Sequence, residues 1–374
     1  MNRLDPFSVS THVYKTVEGH PIQIDVLVPK STLEKKRSIP YGDNTRIPVI
    51  LRYHGGWLFG GQRDYPNWLA QWVCDLAVKH DAILVSADYR LLPEATCEEA
   101  LDDIMDAYIW LSTGLTDALK STYKDSPVIA PDLDRILVGG ESAGGYCALQ
   151  AGLTFFDQSS NPTSTQPIPK PRVIYAEFPY VSLRTPHWTQ SYPKQIWNQP
   201  QLPLTLVTSL FTSISHSTTL NNGKRPIVSN IPMVSPTGQF TERAIISTAA
   251  EQHGRTLDFF GPERDPAPGK RRVFPEDRIE DGRILPPTMF LHGINDSIAP
   301  VEGMDSFVEW VRKYKAVAGM KEGREEREVM RYYRVPGEHF VATDMKLDGS
   351  EPEWLKEAVK FLEANWLGAR NAAL

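Results

Sequence analysis

Gly140-Glu141-Ser142-Ala143-Gly144-Gly145 is the stretch on which the reading of the chain turns. It follows an apolar run, Arg135-Ile136-Leu137-Val138-Gly139, and leads into Tyr146-Cys147-Ala148-Leu149-Gln150-Ala151, which reads as a helix. A G-x-S-x-G turn between strand and helix makes a nucleophile elbow. Its glycines let the backbone fold tightly, so that the Ser142 hydroxyl projects from the top of a sheet. Ala143 then starts the helix, and its N–H points toward charge developing on a bound group. Alone the pattern is weak, because about one chain in eight of this length would carry it by chance. Its weight comes from four other segments.

The first, His54-Gly55-Gly56-Trp57, follows the strand-like Ile47-Pro48-Val49-Ile50-Leu51-Arg52-Tyr53. Glycines after a strand also make ordinary turns, but here they let backbone amides approach a ligand and complete an oxyanion hole. The second, Asp88-Tyr89-Arg90-Leu91-Leu92-Pro93-Glu94, follows Ala82-Ile83-Leu84-Val85-Ser86-Ala87. In the third, the strand Leu285-Pro286-Pro287-Thr288-Met289-Phe290-Leu291 runs into His292-Gly293-Ile294-Asn295-Asp296-Ser297. That places Asp296 at the carboxyl end of a strand, where open α/β sheets build their sites. In the fourth, Val329-Met330-Arg331-Tyr332-Tyr333-Arg334-Val335 runs into Pro336-Gly337-Glu338-His339-Phe340. The required chain order is Ser, Asp or Glu, then His. Of nine histidines only His339 follows Asp296, so order selects it.

HGG, DYRLLPE and GESAGG in this order resemble the hormone-sensitive-lipase-like branch of the α/β-hydrolases, a carboxylesterase family. The resemblance implies a mostly parallel central sheet with helices on both faces and an inserted cap of helices and loops. It implies a triad of Ser142, Asp296 and His339, with oxyanion donors on Gly55, Gly56 and Ala143. Asp88, Arg90 and Glu94 become a buried polar brace. The family usually carries a third glycine where this chain has Trp57. The amide survives that exchange, and the indole either narrows the acyl side of the pocket or packs under the loop.

These residue types suit acyl transfer. A serine hydroxyl is a poor nucleophile at neutral pH until a histidine takes its proton. The carboxylate fixes the imidazole tautomer and stabilises the imidazolium. The implied activity is hydrolysis of small to medium, bulky or aromatic carboxylic esters, with no cofactor and no metal. The same apparatus serves thioesterases, lactonases, acyltransferases and cyclases of specialised metabolism. A non-catalytic small-molecule receptor is the third reading; related plant receptors have lost a triad member, and here all three are present.

Hydrophobic content of 41% supports a substantial core, and 23% charged residues give an ordinary surface. A net charge of −6, with no basic run interleaved by aromatics, argues against nucleic acid. Cys74, Cys97 and Cys147 are scattered and form neither a disulfide framework nor a metal pattern. The start lacks an apolar signal core, and no apolar run is long enough to span a bilayer. The sequon Asn295-Asp296-Ser297 overlays the expected acid, and a sugar there would obstruct the site. The expectation is therefore a cytoplasmic protein. In the family the last strand and helix often pair between copies; a homo-oligomer is compatible with this chain but not written in it.

Strand, helix and strand alternate along the chain as parallel βαβ units require. Residues 13–29 read as a hairpin, 30–46 as a polar connection, and 66–80 and 97–113 as helices. Residues 313–327 read as a solvated helix extension, and Trp354 to Trp366 as a closing helix. The core is assigned to 1–181 and 285–374. Residues 182–284 are an insertion rich in Pro, Ser, Thr, Asn and Gln that still carries large apolar residues. Helices burying those residues over the site, with Trp57, Trp188 and Trp197 against substrate, are the expectation; a disordered excursion is the alternative.

Overall fold

Strand β1 (Phe7–Val17) turns at Glu18-Gly19 into β2 (His20–Pro29), and the hairpin forms the antiparallel edge of a single sheet. The structure is a computed structural model that describes residues 2–37, 46–124, 129–156, 168–264 and 272–368. The sheet continues with β3 (Arg46–Tyr53), β4 (Ile83–Ala87), β5 (Ala130–Glu141), β6 (Val173–Glu177), β7 (Thr288–Gly293) and β8 (Met330–Val335). Its order is β1-β2-β4-β3-β5-β6-β7-β8, parallel from β4 across to β8. Strands β4, β6 and β7 are buried throughout, the signature of a sheet covered on both faces.

The covering layers are two apolar clusters. On one face, Leu101 and Ile104 of helix Cys97–Thr113 join Ala148 of helix Ala143–Phe155 and Phe307 of helix Val301–Tyr314. On the other, Trp72 and Leu76 meet Leu355, Leu362 and Trp366 of helix Glu353–Leu367. Helix 97–113 starts at a reciprocal capping box, Thr96 with Glu99, which satisfies two orphan N–H groups.

Three sequence expectations change. Residues 30–37 form a helix rather than a connection, while 38–45 lie outside the described residues. The 313–327 stretch does not extend a helix. Helix Val301–Tyr314 stops at Lys315 in the left-handed region, and Ala316 and Ala318 then pair with the Leu285 backbone. Buried Ala316, Val317 and Ala318, followed by Gly319 and Gly323 at positive φ, explain the break. Strand β6, which the sequence reading passed over, lies between β5 and β7.

The described part of 182–284 contains helices Pro186–Thr189, Thr205–Leu220, Glu242–Gln252 and Pro275–Glu280 and a kinked 3₁₀ segment, Thr256–Arg264. Trp188, Ile196, Val207, Ala244, Phe259 and Phe260 belong to the same apolar cluster as one sheet face. The DYRLLPE segment supplies polar ties. Asp88 pairs with Arg63 at 2.6 Å, Arg90 with Asp103 at 2.7 Å, and Glu94 with Arg243 of the insertion at 2.6 Å. Among the described residues no helix is long and apolar enough to cross a membrane.

Candidate active site

Strands β3 and β5 approach so closely at their carboxyl ends that only glycine fits between them. A Cβ on Gly144 would lie 2.0 Å from the Tyr53 carbonyl oxygen, and one on Gly140 would lie 2.5 Å from it. Between these glycines Ser142 adopts φ 57° and ψ −122°, the strained turn of a nucleophile elbow. Its amide donates to the Glu177 carbonyl at 2.9 Å, and its own carbonyl accepts from Tyr146 and Tyr180.

The turn after β3 presses on this elbow: a Cβ on Gly55 would sit 2.9 Å from the Glu141 carbonyl oxygen. Gly56 has φ 118°, and Trp57 and Leu58 follow at 58° and 66°. His54 shapes the turn from within. Its ring stacks on Tyr89 at 4.4 Å and its Nδ1 donates to the Gly55 carbonyl at 2.8 Å. Burial lowers its pKa to about 3, so this histidine is neutral. Among the described residues, the amides of Gly55, Gly56 and Ala143 donate to no protein acceptor. Gly55 lies against the nucleophile: a Cβ on it would sit 3.3 Å from the Ser142 side chain.

Asp296 lies just past β7 and is buried. Its Oδ1 accepts from the amides of Ile298 (3.0 Å) and Ala299 (2.9 Å). Its Oδ2 lies 2.7 Å from His339 Nδ1 and 3.3 Å from His292 Nε2. Burial alone would raise the carboxyl pKa. The charge and hydrogen bonds of His339 and His292 outweigh it and hold Asp296 well below the usual carboxylate range. With Nδ1 held on the carboxylate, Nε2 is the free nitrogen of His339. Glu338 ties the two loops together, accepting from the Ser297 amide at 3.0 Å and from its hydroxyl.

Phe178 links acid and nucleophile. It follows Glu177, whose carbonyl holds Ser142, and its ring packs 4.3 Å from that of His339. Ser142 Oγ makes no hydrogen bond to His339 among the described residues; such bonds are often long before substrate binds and tighten in the Michaelis complex. Behind the elbow, Arg52 pairs with Glu141 at 3.0 Å, and Glu177 accepts from Trp72 Nε1 at 2.7 Å. Burial and the Glu141 charge push the Glu177 carboxyl up to about 8. No cluster among the described residues could hold a metal ion.

The model of the alpha/beta hydrolase fold matches residues 50–252, more than half of the chain. The chain belongs to this family. It is 25% identical over 365 residues to the probable carboxylesterase M8 of a Phoma species, covering 98% of each chain. It is 24% identical over 330 residues to the non-reducing polyketide synthase Preu6 of Preussia isomera, spanning 85% of this chain but 13% of that one. Among solved structures it resembles a bacterial heroin esterase, with a TM-score of 0.54, 18% identity and coverage of 98% and 86%. That likeness is one of fold.

The hydrolase places its three expected tryptophans differently. Trp57 is buried, and its Nε1 donates to Glu251 Oε2 at 2.6 Å. Its φ of 58° is one that glycine adopts without strain and a tryptophan does not. Trp197 is half-buried, stacks on Phe240 at 4.7 Å, and stands 5.7 Å from Trp57 and 6.4 Å from His339. Trp188 is only 2% exposed and packs edge-on against Tyr180 and His187, with no ring contact to His339. Glu302, the next carboxylate after Asp296, is exposed in the first turn of helix 301–314.

Several residues of the site escaped the sequence reading. His292, Glu338 and Phe340 sit inside the quoted segments and could have been taken with their neighbours. Glu251 and His187 lie in the insertion, 64 positions apart, and meet at 2.9 Å. No local pattern marks them.

Proposed function

We propose that this hydrolase cleaves carboxylic esters through an acyl-enzyme on Ser142. The observation that carries the reading is the Asp296–His339 hydrogen bond of 2.7 Å, packed through Phe178 against the elbow that presents Ser142. Attack forms the Ser142 Oγ–acyl carbon bond while His339 Nε2 takes the hydroxyl proton. The oxyanion is held by the amides of Gly55, Gly56 and Ala143. Losing one such donor typically costs about 3–4 kcal/mol of barrier. Collapse expels the alcohol, which receives the proton from His339. A water activated by the same imidazole then attacks the acyl carbon and frees the acid and Ser142.

Residues 182–284 act as the cap in this reading, and Trp197 is their contribution to the pocket. Its ring contacts with Trp57, Phe340 and His339 support an ester with a bulky or aromatic group. The 2% exposure of Trp188 assigns it to the packing of the cap. A cytoplasmic location agrees with this reading, because a glycan on exposed Asn295 would crowd Asp296.

One observation favours a second reading, an acyl thioester substrate: the match to part of a polyketide synthase. Parallel assays on an oxygen ester and a thioester of one aromatic acid separate the two. The primary test is a fluorophosphonate probe followed by mapping of the labelled peptide. Labelling is expected on Ser142 alone, lost in Ser142→Ala together with at least a thousand-fold of the activity on a nitrophenyl ester. Labelling elsewhere, or a Ser142→Ala enzyme that keeps more than a few per cent of the rate, overturns the mechanism.

A further inference from the structure

Among the described residues of the insertion, Glu251 is the one carboxylate that joins the turn after β3 to the loop after β7. It sits near the end of helix 242–252 with its side chain fully buried. Each carboxylate oxygen has a separate partner. Oε2 accepts from Trp57 Nε1 at 2.6 Å, and Oε1 lies 2.9 Å from His187 Nε2. The same His187 Nε2 lies 2.9 Å from the carbonyl oxygen of Ile298. A carbonyl only accepts, so Nε2 carries the hydrogen and shares it between Ile298 and Glu251. Ile298 in turn donates its amide to Asp296 Oδ1 at 3.0 Å. Hydrogen bonds joined through the backbone of Ile298 therefore link the oxyanion turn, through Glu251 and His187, to the carboxylate that orients His339. Lys194, also buried, donates to the Glu251 carbonyl at 2.6 Å and fixes the backbone of the same residue.

We propose that Glu251 is a positioning residue for the reaction: it holds the Gly55-Gly56-Trp57 amides and the Asp296 loop in register from the insertion. The proposal rests on the ester-hydrolase reading of the site. Trp57 occupies a left-handed conformation that costs a non-glycine side chain energy, and its indole bond is what secures it. An oxyanion hole works only if its donors are set before charge develops, so loosening this turn slows the chemical step more than it weakens substrate binding. A group that acts in this way lowers kcat and leaves KM for a short ester nearly unchanged.

Glu251→Gln discriminates, because the site needs two acceptors and an amide offers one. Whichever way it turns, the NH₂ group faces a donor, either Trp57 or His187, and one link is lost. The experiment measures three quantities on wild type, Glu251→Gln, Trp57→Phe and the double variant. They are the melting temperature, the rate of fluorophosphonate labelling of Ser142, and kcat and KM on a nitrophenyl acetate. Labelling and kcat should each fall at least ten-fold in Glu251→Gln, with KM within two-fold of wild type. In the Trp57→Phe background the same substitution should cost less than three-fold, because the link is already cut. Equal labelling rates and equal kcat in wild type and Glu251→Gln overturn the proposal, as does full additivity in the double variant. Should Glu251→Gln fail to fold, Trp57→Phe alone decides: it removes the single N–H that reaches Oε2, and an unchanged kcat refutes the role. If the wild-type enzyme itself is not labelled, the ester-hydrolase reading falls and takes the proposal with it. That outcome is distinct from a labelled wild type with an indifferent variant.

Discussion

At the carboxyl edge of β3, β5 and β7 the backbone itself is the fixture, whereas across 182–284 individual side chains do the fixing. The elbow is held by parallel register on both sides and by glycines whose missing Cβ atoms let strands approach within contact distance. The insertion shares the apolar cluster of the sheet but is registered by discrete polar ties. These include Arg243 to Glu94 at 2.6 Å, Arg278 to Gln150 at 2.6 Å and Glu251 to Trp57 at 2.6 Å. Backbone register is set by patterning and tolerates many side chains. A tie between two buried polar groups is lost with either partner and strands the other. On the proposed reading, the chemistry rests on the region held by its backbone and the selectivity on the region held by side-chain ties.

The sharpest way to break that comparison is at the acid. Asp296→Asn keeps the shape and two hydrogen-bonding atoms, but its amide nitrogen can no longer accept from His339. Activity should fall by about four orders of magnitude, as expected when a triad histidine is held in the wrong tautomer, with a stability loss measured separately so that the rate is read on folded protein. An enzyme that retains a tenth of its rate would show that another carboxylate orients His339. Glu302, the next downstream, is exposed on its helix, and a double Asp296→Asn/Glu302→Gln variant would show whether it serves.

How much could be read without the structure follows the same division. The proposed site residues Ser142, Asp296, His339, Gly55, Gly56 and Ala143 can be picked out in sequence because each lies where an apolar strand pattern meets a turn, and that junction is local. The brace was legible only as a segment: Asp88, Arg90 and Glu94 found partners at Arg63, Asp103 and Arg243, and none of those pairings is written in the motif. Strand β6 was missed because Val173–Glu177 is a short apolar run behind Pro169 and Pro171 with no motif to announce it. Glu251 lies next to the end of the helix Glu242–Gln252, where no local motif marks its carboxylate. Burial there is decided by residues far away in the chain.

The next effect in size separates two tryptophans that composition treats alike. Trp188→Ala empties a fully buried site between Tyr180 and His187, and should cost about 3–5 kcal/mol of stability, read as a lowered denaturation midpoint. Selectivity between esters should stay as it was. Trp197→Ala removes a half-buried ring beside Trp57 and His339, so its stability cost should be smaller. Its kcat/KM for a bulky aromatic ester should fall by about 1–3 kcal/mol relative to a short acetyl ester. Equal losses on both esters would mean that the insertion does not form the substrate's wall.

The last effect belongs to the catalytic frame and reads its electrostatics. Glu177 is buried behind Ser142 with Glu141 nearby, and burial together with that charge raises its carboxyl to about 8. The folded protein thus binds a proton at Glu177 over a range in which the unfolded chain, with the ordinary carboxyl value of 4.5, has released it. Stability falls with pH wherever the folded state binds more protons. This contribution is complete below the unfolded pKa and is lost as pH rises toward about 8. Over that window one group can account for up to about 1.4 kcal/mol per pH unit. Glu177→Gln deletes the titration yet leaves an oxygen for Trp72, and the Ser142 amide still finds the backbone carbonyl of residue 177. Urea denaturation from pH 5 to 8.5 should show a shallower decline in Glu177→Gln than in wild type, while kcat at pH 8 stays within about two-fold. Identical slopes would mean that Glu177 is ionised across the range, with Arg52 serving both glutamates; the buried frame would then be held by a shared charge rather than by a retained proton.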